Sequence, residues 1–262
     1  MDWGWMLPEP VSTFGGEIDS LYYLILVITG AIFVIVEVAL VVFVIRYRRR
    51  EGRKAAYSHG NKVAEMVWTV VPFVLVLYIA YQSNDVWLRT KVAERGLENE
   101  SALPLRVVGK QFEWNVTYPG PDEELDTDDD YVVRNQLHMP VGRSVRIELM
   151  SEDVIHSFFL PEFRVKQDAV PGMLIPVWFQ ATEAGEYTLA CAELCGLGHY
   201  RMRASVTVHE PEEFERWVAE ESSAGEPPEP VPAPADTARV DLEAAHDGGH
   251  DDRQAREGDD QA

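Results

Sequence analysis

Residues 20–45, SLYYLILVITGAIFVIVEVALVVFVI, carry one charged side chain, Glu37. A helix of that length crosses a bilayer core with some tilt. Residues 63–82, VAEMVWTVVPFVLVLYIAYQ, form a second such run, with Glu65 near one end and Pro72 inside. No comparable run follows. The sequence therefore predicts a two-span membrane hairpin, over about 20–45 and 63–82, that anchors a water-soluble domain.

The loop between the spans, residues 46–62, holds Arg46, Arg48, Arg49, Arg50, Arg53, Lys54 and Lys62 against a single acid, Glu51. The positive-inside rule makes that loop cytoplasmic, which puts both termini and the soluble domain on the outer face of the cell membrane. Residues 1–19, expected as an external tail, lack a basic n-region, and the first apolar run is too long for a signal-peptide core. A retained span is expected, with a cleaved precursor as the alternative.

Charge is as uneven as hydropathy. Up to Gln82 there are 7 acids and 7 bases, so the net charge of −21 belongs entirely to the rest of the chain. Such a field repels nucleic acid and attracts cationic partners. It fits an acidic surface that keeps a halophile's protein soluble in brine, and also a docking surface for a basic partner.

Residues 83–102 read as a polar connector of helical composition. Beyond it the period changes to two: Val145, Ile147 and Leu149 alternate with Arg146 and Glu148, and Ala204, Val206 and Val208 with Arg203, Ser205 and Thr207. Alternation of this kind means strands with one buried face. Further β-rich runs are 105–108, 112–118, 131–139, 173–180 and 186–191, separated by turn signals at 119–122, 140–142, 171–172 and 183–185. Seven or eight short strands within 103–221 predict an antiparallel β-sandwich. Pro211 opens a short helix, PEEFERWVAEE, with acids near its positive end. Residues 222–262, with 11 acids and almost no large apolar groups, are expected to be disordered. His246 and His250 there suggest metal scavenging, against a plain solvated tail.

The segment Cys191-Ala-Glu193-Leu-Cys195-Gly-Leu-Gly-His199-Tyr-Arg-Met202 contains both cysteines of the chain. A Cys191–Cys195 disulfide would explain only two of its four chemically distinctive residues. Structural zinc has no use for a thioether. Thiolate, imidazole and a weak axial methionine are the ligands of cupredoxin copper. A mononuclear blue-copper centre uses one cysteine, whereas two thiolates bridging two coppers, each capped by one imidazole, use the whole set. That arrangement needs a second histidine. His156, in SEDVIHSFFLP, is the better-placed candidate, and His138 is its competitor.

These residues resemble the copper domain of cytochrome c oxidase subunit II. The likeness extends to Ser151-Glu-Asp-Val-x-His156-Ser, Gly109-Lys-Gln111-Phe-Glu-Trp114, Lys166-Gln-Asp168-Ala-Val-Pro171-Gly172 and Glu65-x-x-Trp68-x-x-x-Pro72, and spans about residues 18–220. The resemblance implies an all-β, cupredoxin-like Greek-key sandwich on a two-helix hairpin. It implies that Cys191 and Cys195 bridge a dinuclear copper (CuA) pair, with His156 and His199 each ligating one ion. Met202 and the Glu193 carbonyl would be weak axial ligands, and the Glu193 carboxylate would help bind Mg²⁺ or Mn²⁺ against subunit I. Electrons would come from cytochrome c or a small copper protein and pass to haem in subunit I for O₂ reduction coupled to proton translocation, with subunit III as a further neighbour. Glu65 matches the mouth of a proton-uptake path. No catalytic residue is expected in this subunit itself.

One departure is visible: Phe112 stands where the family has the tryptophan that receives electrons, with Trp114 two residues on. Phe112 and Trp114 are the expected place for electrons to enter, and Glu152, Asp153, Asp128, Asp129 and Asp130 the expected docking acids. A copper-free quinol oxidase subunit is disfavoured by the intact Cys191, Cys195, His199 and Met202. A free-standing copper carrier is disfavoured by Glu65 and Glu193.

Overall fold

In a computed structural model of the chain, residues 7–54, 57–91 and 101–222 are described. The predicted acidic tail with His246 and His250 lies outside them, as do residues 1–6, 55–56 and 92–100.

Helix α1 spans Gly15–Tyr47 and α2 spans Lys62–Thr90. Asn61 caps α2, its Oδ1 accepting from the backbone N–H groups of Val63 and Ala64 at 3.0 and 3.1 Å. Both helices extend beyond the apolar runs, into the predicted tail and connector. An ion pair across the hairpin, Arg89 to Glu17 at 2.8 Å, joins these polar extensions. Within the chain no residue of α2 is buried, as suits an apolar helix whose solvent is lipid or another subunit.

Ten strands follow in two five-stranded sheets: β1 (Leu103–Lys110), β2 (Glu113–Tyr118), β3 (Tyr131–Arg134), β4 (Gln136–Pro140), β5 (Ser144–Ser151), β6 (His156–Leu160), β7 (Val165–Ala169), β8 (Ile175–Gln180), β9 (Gly185–Cys191) and β10 (Arg203–His209). Their orders are β3-β2-β1-β5-β8 and β4-β10-β9-β6-β7. The sandwich is mixed where an antiparallel one was predicted, because β1 pairs parallel with β5 and β4 parallel with β10. The single predicted run 131–139 breaks at Asn135, which takes a left-handed φ of 57°. Asn135 Oδ1 accepts from the Trp114 N–H at 2.9 Å, and the chain crosses there from one sheet to the other. Strands β6 and β7 were not predicted. His-Ser-Phe-Phe-Leu is buried almost throughout, so it shows no alternation, and β7 is a largely polar edge. Leu105, Val107, Trp114, Ile147, Phe158 and Leu189 lie fully buried between the sheets. Each contributes about 1.5–3 kcal/mol.

The hairpin meets the sandwich at two places. Ahead of α1, the Val11 N–H donates to Glu162 O and its C=O accepts from Thr182 N–H, both at 2.9 Å, and Ser12 Oγ donates to Phe163 O at 2.7 Å. Arg164 forms a largely buried bidentate pair with Asp19, at 2.6 and 2.9 Å. After α2, Lys91 Nζ donates to Lys166 O at 3.2 Å and Gln167 Oε1 at 3.1 Å.

Helix α3, Pro211–Glu221, starts on proline with Glu212 and Glu213 in its first turn. It buries Phe214 and stacks Trp217 on His138, with ring centroids 4.2 Å apart.

Candidate metal centre

The centre forms where β9 ends beside the start of β6. Pairing of these strands sets Phe158 opposite Cys191, which brings His156 Nδ1 to 3.9 Å from Cys191 Sγ. After Cys191 the chain turns back on itself, and the Cys191 N–H donates to Met202 O at 3.1 Å, closing the loop at its base. Inside the loop Cys195 Sγ lies 3.8 Å from Cys191 Sγ, 3.7 Å from His199 Nδ1 and 3.7 Å from Met202 Sδ. The Glu193 carbonyl accepts from the Cys191 thiol at 3.2 Å. Among the described residues His156, Cys191 and Cys195 are the group whose donor atoms converge within 4.8 Å, and all three are buried.

Both cysteines are free, and their sulfurs stand far beyond the about 2.05 Å of a disulfide. Two metal–thiolate bonds of about 2.3 Å meeting at one ion at a near-tetrahedral angle span about 3.8 Å. The observed separation suits sulfurs that share metal ions. Burial raises the Cys191 thiol, but hydrogen bonding to His156 and to neighbouring backbone outweighs it and leaves its pKa below the ordinary value. Burial and the adjacent Cys191 push Cys195 upward. The pair thus gives up its first proton easily and its second with difficulty, as two close thiols must.

Asp153 controls the direction of His156. Its Oδ1 accepts from His156 Nε2 at 2.8 Å, so the protonated ring nitrogen faces the carboxylate and Nδ1 is left for the cysteines. Burial works against a charged His156, yet Cys191 and Asp153 together raise its pKa. Gly109 on β1 makes room for this ring, since a Cβ there would lie 3.0 Å from His156 Cδ2.

The family comparisons cover both parts of the chain. Residues 103–208 match the model of the cytochrome c oxidase subunit II periplasmic domain, and residues 1–86 that of its transmembrane domain. The chain belongs to the cytochrome c oxidase subunit II family. A subunit 2 of Thermostichus vulcanus is 34% identical, over 81% of this chain and 77% of that protein. An alternative subunit 2 of Bradyrhizobium diazoefficiens is 32% identical, over 84% and 85%. The solved periplasmic domain of a Bradyrhizobium japonicum subunit II is 31% identical, covering 48% of this chain and 98% of that one with a TM-score of 0.43. As in other subunits II, two membrane spans carry a periplasmic β-sandwich, here a cupredoxin-like one.

The remaining predicted site residues fall into different surroundings. His138, the competitor to His156, is on β4 with its Nδ1 2.8 Å from His209 Nε2, and neither ring joins the cysteines. Trp114 is fully buried behind His156, with ring centroids 5.9 Å apart, so it cannot touch a docking partner. Phe112 is partly buried beneath the loop between Cys191 and Met202, with Arg201 5.9 Å above its ring.

Of the expected docking acids, Asp153 and Asp130 are turned toward other partners, and Glu152, Asp128 and Asp129 stay exposed. Asp153 is committed to His156 and to the Gln111 N–H. Asp130 is 5% exposed and turned inward onto the Asp126 N–H. The loop of Asp128–Asp130 joins β2 at Tyr118, the end remote from Phe112, and six residue steps separate Phe112 from Tyr118 by roughly 20 Å. Arg106 holds that loop through Asp126, and Arg143 holds it through Glu123. Its charge is thus spent partly on these clamps. Glu152, paired with Lys110 at 3.0 Å, stays near the centre.

A feature the sequence reading missed is the location of exposed apolar side chains. Leu194, Leu197 and Tyr200 are 78, 97 and 85% exposed. With Val154 and Ile155 they place every large, exposed apolar side chain of the described sandwich on the two ligand-bearing loops. Glu193 is exposed beside them, and Glu65 is exposed in the first turn of α2.

Proposed function

We propose that this subunit II carries a dinuclear copper centre of the CuA type and passes electrons from an external carrier to haem in subunit I. The carrying observation is the convergence of two free thiols, two imidazole Nδ1 atoms, a thioether and a backbone carbonyl within 3.2–3.9 Å steps. Cys191 and Cys195 would bridge the ions, His156 and His199 would cap one each, and Met202 and the Glu193 carbonyl would bind weakly. When bound, the copper pair supplies a one-electron carrier.

The protein's part is to hold the donors still. Cys191 and His156 sit on neighbouring strands of a packed sheet, the loop is pinned at its base by Met202 O, and Asp153 fixes the His156 tautomer. A donor set held this way would change little between redox states, and its hydrogen bonds and the Met202 thioether would tune the potential. Cytochrome c or a small copper protein would dock over the exposed Leu197 and Tyr200, above Phe112, with the acidic domain drawing in a basic donor. Glu193 would help hold Mg²⁺ or Mn²⁺ against subunit I, Glu65 would mark the start of a proton path there, and subunit III would complete the neighbourhood. O₂ is reduced in subunit I.

Metal analysis of the full chain tests the reading. Two coppers per chain with a delocalised mixed-valence electron paramagnetic resonance (EPR) spectrum are expected. One copper with a blue-site spectrum would overturn it.

A further inference from the structure

Strand pairing explains why His156 meets Cys191, but not why Cys195 and His199 return to them. Those two depend on the loop alone. Gln111, at the turn between β1 and β2, bridges the gap. Its backbone N–H donates to Asp153 Oδ2 at 2.8 Å, the carboxylate whose other oxygen accepts from His156. Its side-chain Nε2 donates to the backbone carbonyl of Cys195. One residue from a third segment therefore reaches the Cys195–His199 half directly and the His156 half through Asp153.

The loop is shaped to receive this amide. Gly196 has φ 130°, a conformation L side chains rarely adopt, and a Cβ there would lie 2.7 Å from Gln111 Nε2 and 3.1 Å from the Phe112 ring. The space a side chain would fill is taken by the Gln111 amide. That amide also satisfies a carbonyl beside a buried thiol, an acceptor costly to leave unpaired.

We propose that Gln111 is a positioning residue of the copper centre: it struts the Cys195–His199 loop against the Asp153–His156 pair and so fixes the spacing of the four strong ligands. The copper half of this statement rests on the dinuclear reading above. The strut itself exists without metal, which lets the two be tested apart.

The experiment uses the full chain in detergent, copper-free and copper-loaded, as wild type, Gln111→Met and Gln111→Lys. Methionine keeps the length and loses the donor, and lysine restores a donor. In the copper-free chain, amide exchange over residues 195–202 should rise about tenfold in Gln111→Met, the scale of one lost hydrogen bond to a local opening. Exchange in β1 and β5 should stay unchanged. In the loaded chain, Gln111→Met should release copper to a chelator about tenfold faster and alter the mixed-valence spectrum. Gln111→Lys should recover both toward wild type. If Gln111→Met fails to fold, Gln111→Asn, one methylene shorter, takes its place. Wild-type exchange in the folded variant would overturn the strut whatever the metal content. Faster exchange with a wild-type spectrum and release rate would overturn the link from strut to copper. A wild-type chain holding fewer than two coppers would instead overturn the dinuclear reading, and with it that link.

Discussion

His138 Nδ1 lies 2.8 Å from His209 Nε2, and the His138 ring is stacked face to face on Trp217 of α3. Gln136 Oε1 can only accept from His138 Nε2, at 3.3 Å, so Nδ1 is the acceptor and His209 the donor. Burial, and then His209, push the His138 pKa down to about 4. Burial also lowers His209, against the pull of Glu213 and Glu186. A folded-state pKa below the ordinary value of about 6.5 means the unfolded chain binds more protons between them. Stability is therefore fully present above about pH 6.5 and is lost as pH falls toward 4. The loss from His138 should be of order 2–3 kcal/mol. Thermal melts across pH should show it, with Trp217 fluorescence reporting release of α3. His138→Phe keeps the stack and should flatten the pH dependence. An equally steep profile in that variant would place the titrating group elsewhere.

Cys191→Ser or Cys195→Ser should abolish the mixed-valence spectrum, since on the dinuclear reading each thiolate would be shared by both ions. Met202→Leu should keep two coppers and move the midpoint potential. His138→Ala should leave copper binding intact, because that ring faces His209 and Trp217. Copper loss in this last variant, with the sandwich still folded, would contradict the placement of the centre.

Asp153 and Glu152 are adjacent acids with different tasks. Asp153→Asn should weaken copper retention by about 10–100-fold and shift the potential, because the carboxylate that directs His156 is gone. Glu152→Gln should leave spectrum and retention unchanged and act on donor association alone. Midpoint titration and stopped-flow donor oxidation on both variants make the comparison. Identical behaviour of the two would remove the positioning role of Asp153.

Neutralising Asp128 and Asp129 should not slow donor oxidation at moderate salt, since both lie at the far end of β2. Leu197→Ser should slow it several-fold at any salt, because apolar contact is not screened. Kinetics across a salt series will show this. A strong Asp128/Asp129 effect with Leu197→Ser silent would move the docking site off the copper loop.

The hairpin was legible because two apolar runs leave a chain few alternatives. The ligand loop was legible because Cys191, Cys195, His199 and Met202 are local in sequence, so their spacing announces a shared site even though contacts from elsewhere, such as Gln111, help to hold it. What depended on tertiary register was not. Asp153 read as a surface acid until the β5–β6 connection turned it onto His156. His138 and His209 are 71 positions apart and meet only because β4 pairs parallel with β10. Trp114 looked like a surface aromatic beside Phe112, yet strand alternation sends Trp114 into the core. The strand carrying His156 was missed because burial on both faces erases its period.

Asp19→Ala should be among the most damaging changes near the membrane. It leaves the Arg164 guanidinium, whose side chain is 7% exposed, without its carboxylate. Removing one partner of a buried pair costs about 3–5 kcal/mol. Limited proteolysis of the full chain should show cleavage between α1 and the sandwich where the wild type resists. Unchanged resistance would mean that the strand-like contacts of Val11 and Ser12 suffice.

Those contacts before α1, and the Lys91 contacts after α2, fasten the hairpin to the sandwich on both sides. A domain on one tether would sweep through a range of separations from any haem in the membrane, and tunnelling would then proceed with a spread of rates. With attachment at both ends the copper loops keep one height above the bilayer. Electron delivery should accordingly follow a single exponential whose rate does not depend on solvent viscosity.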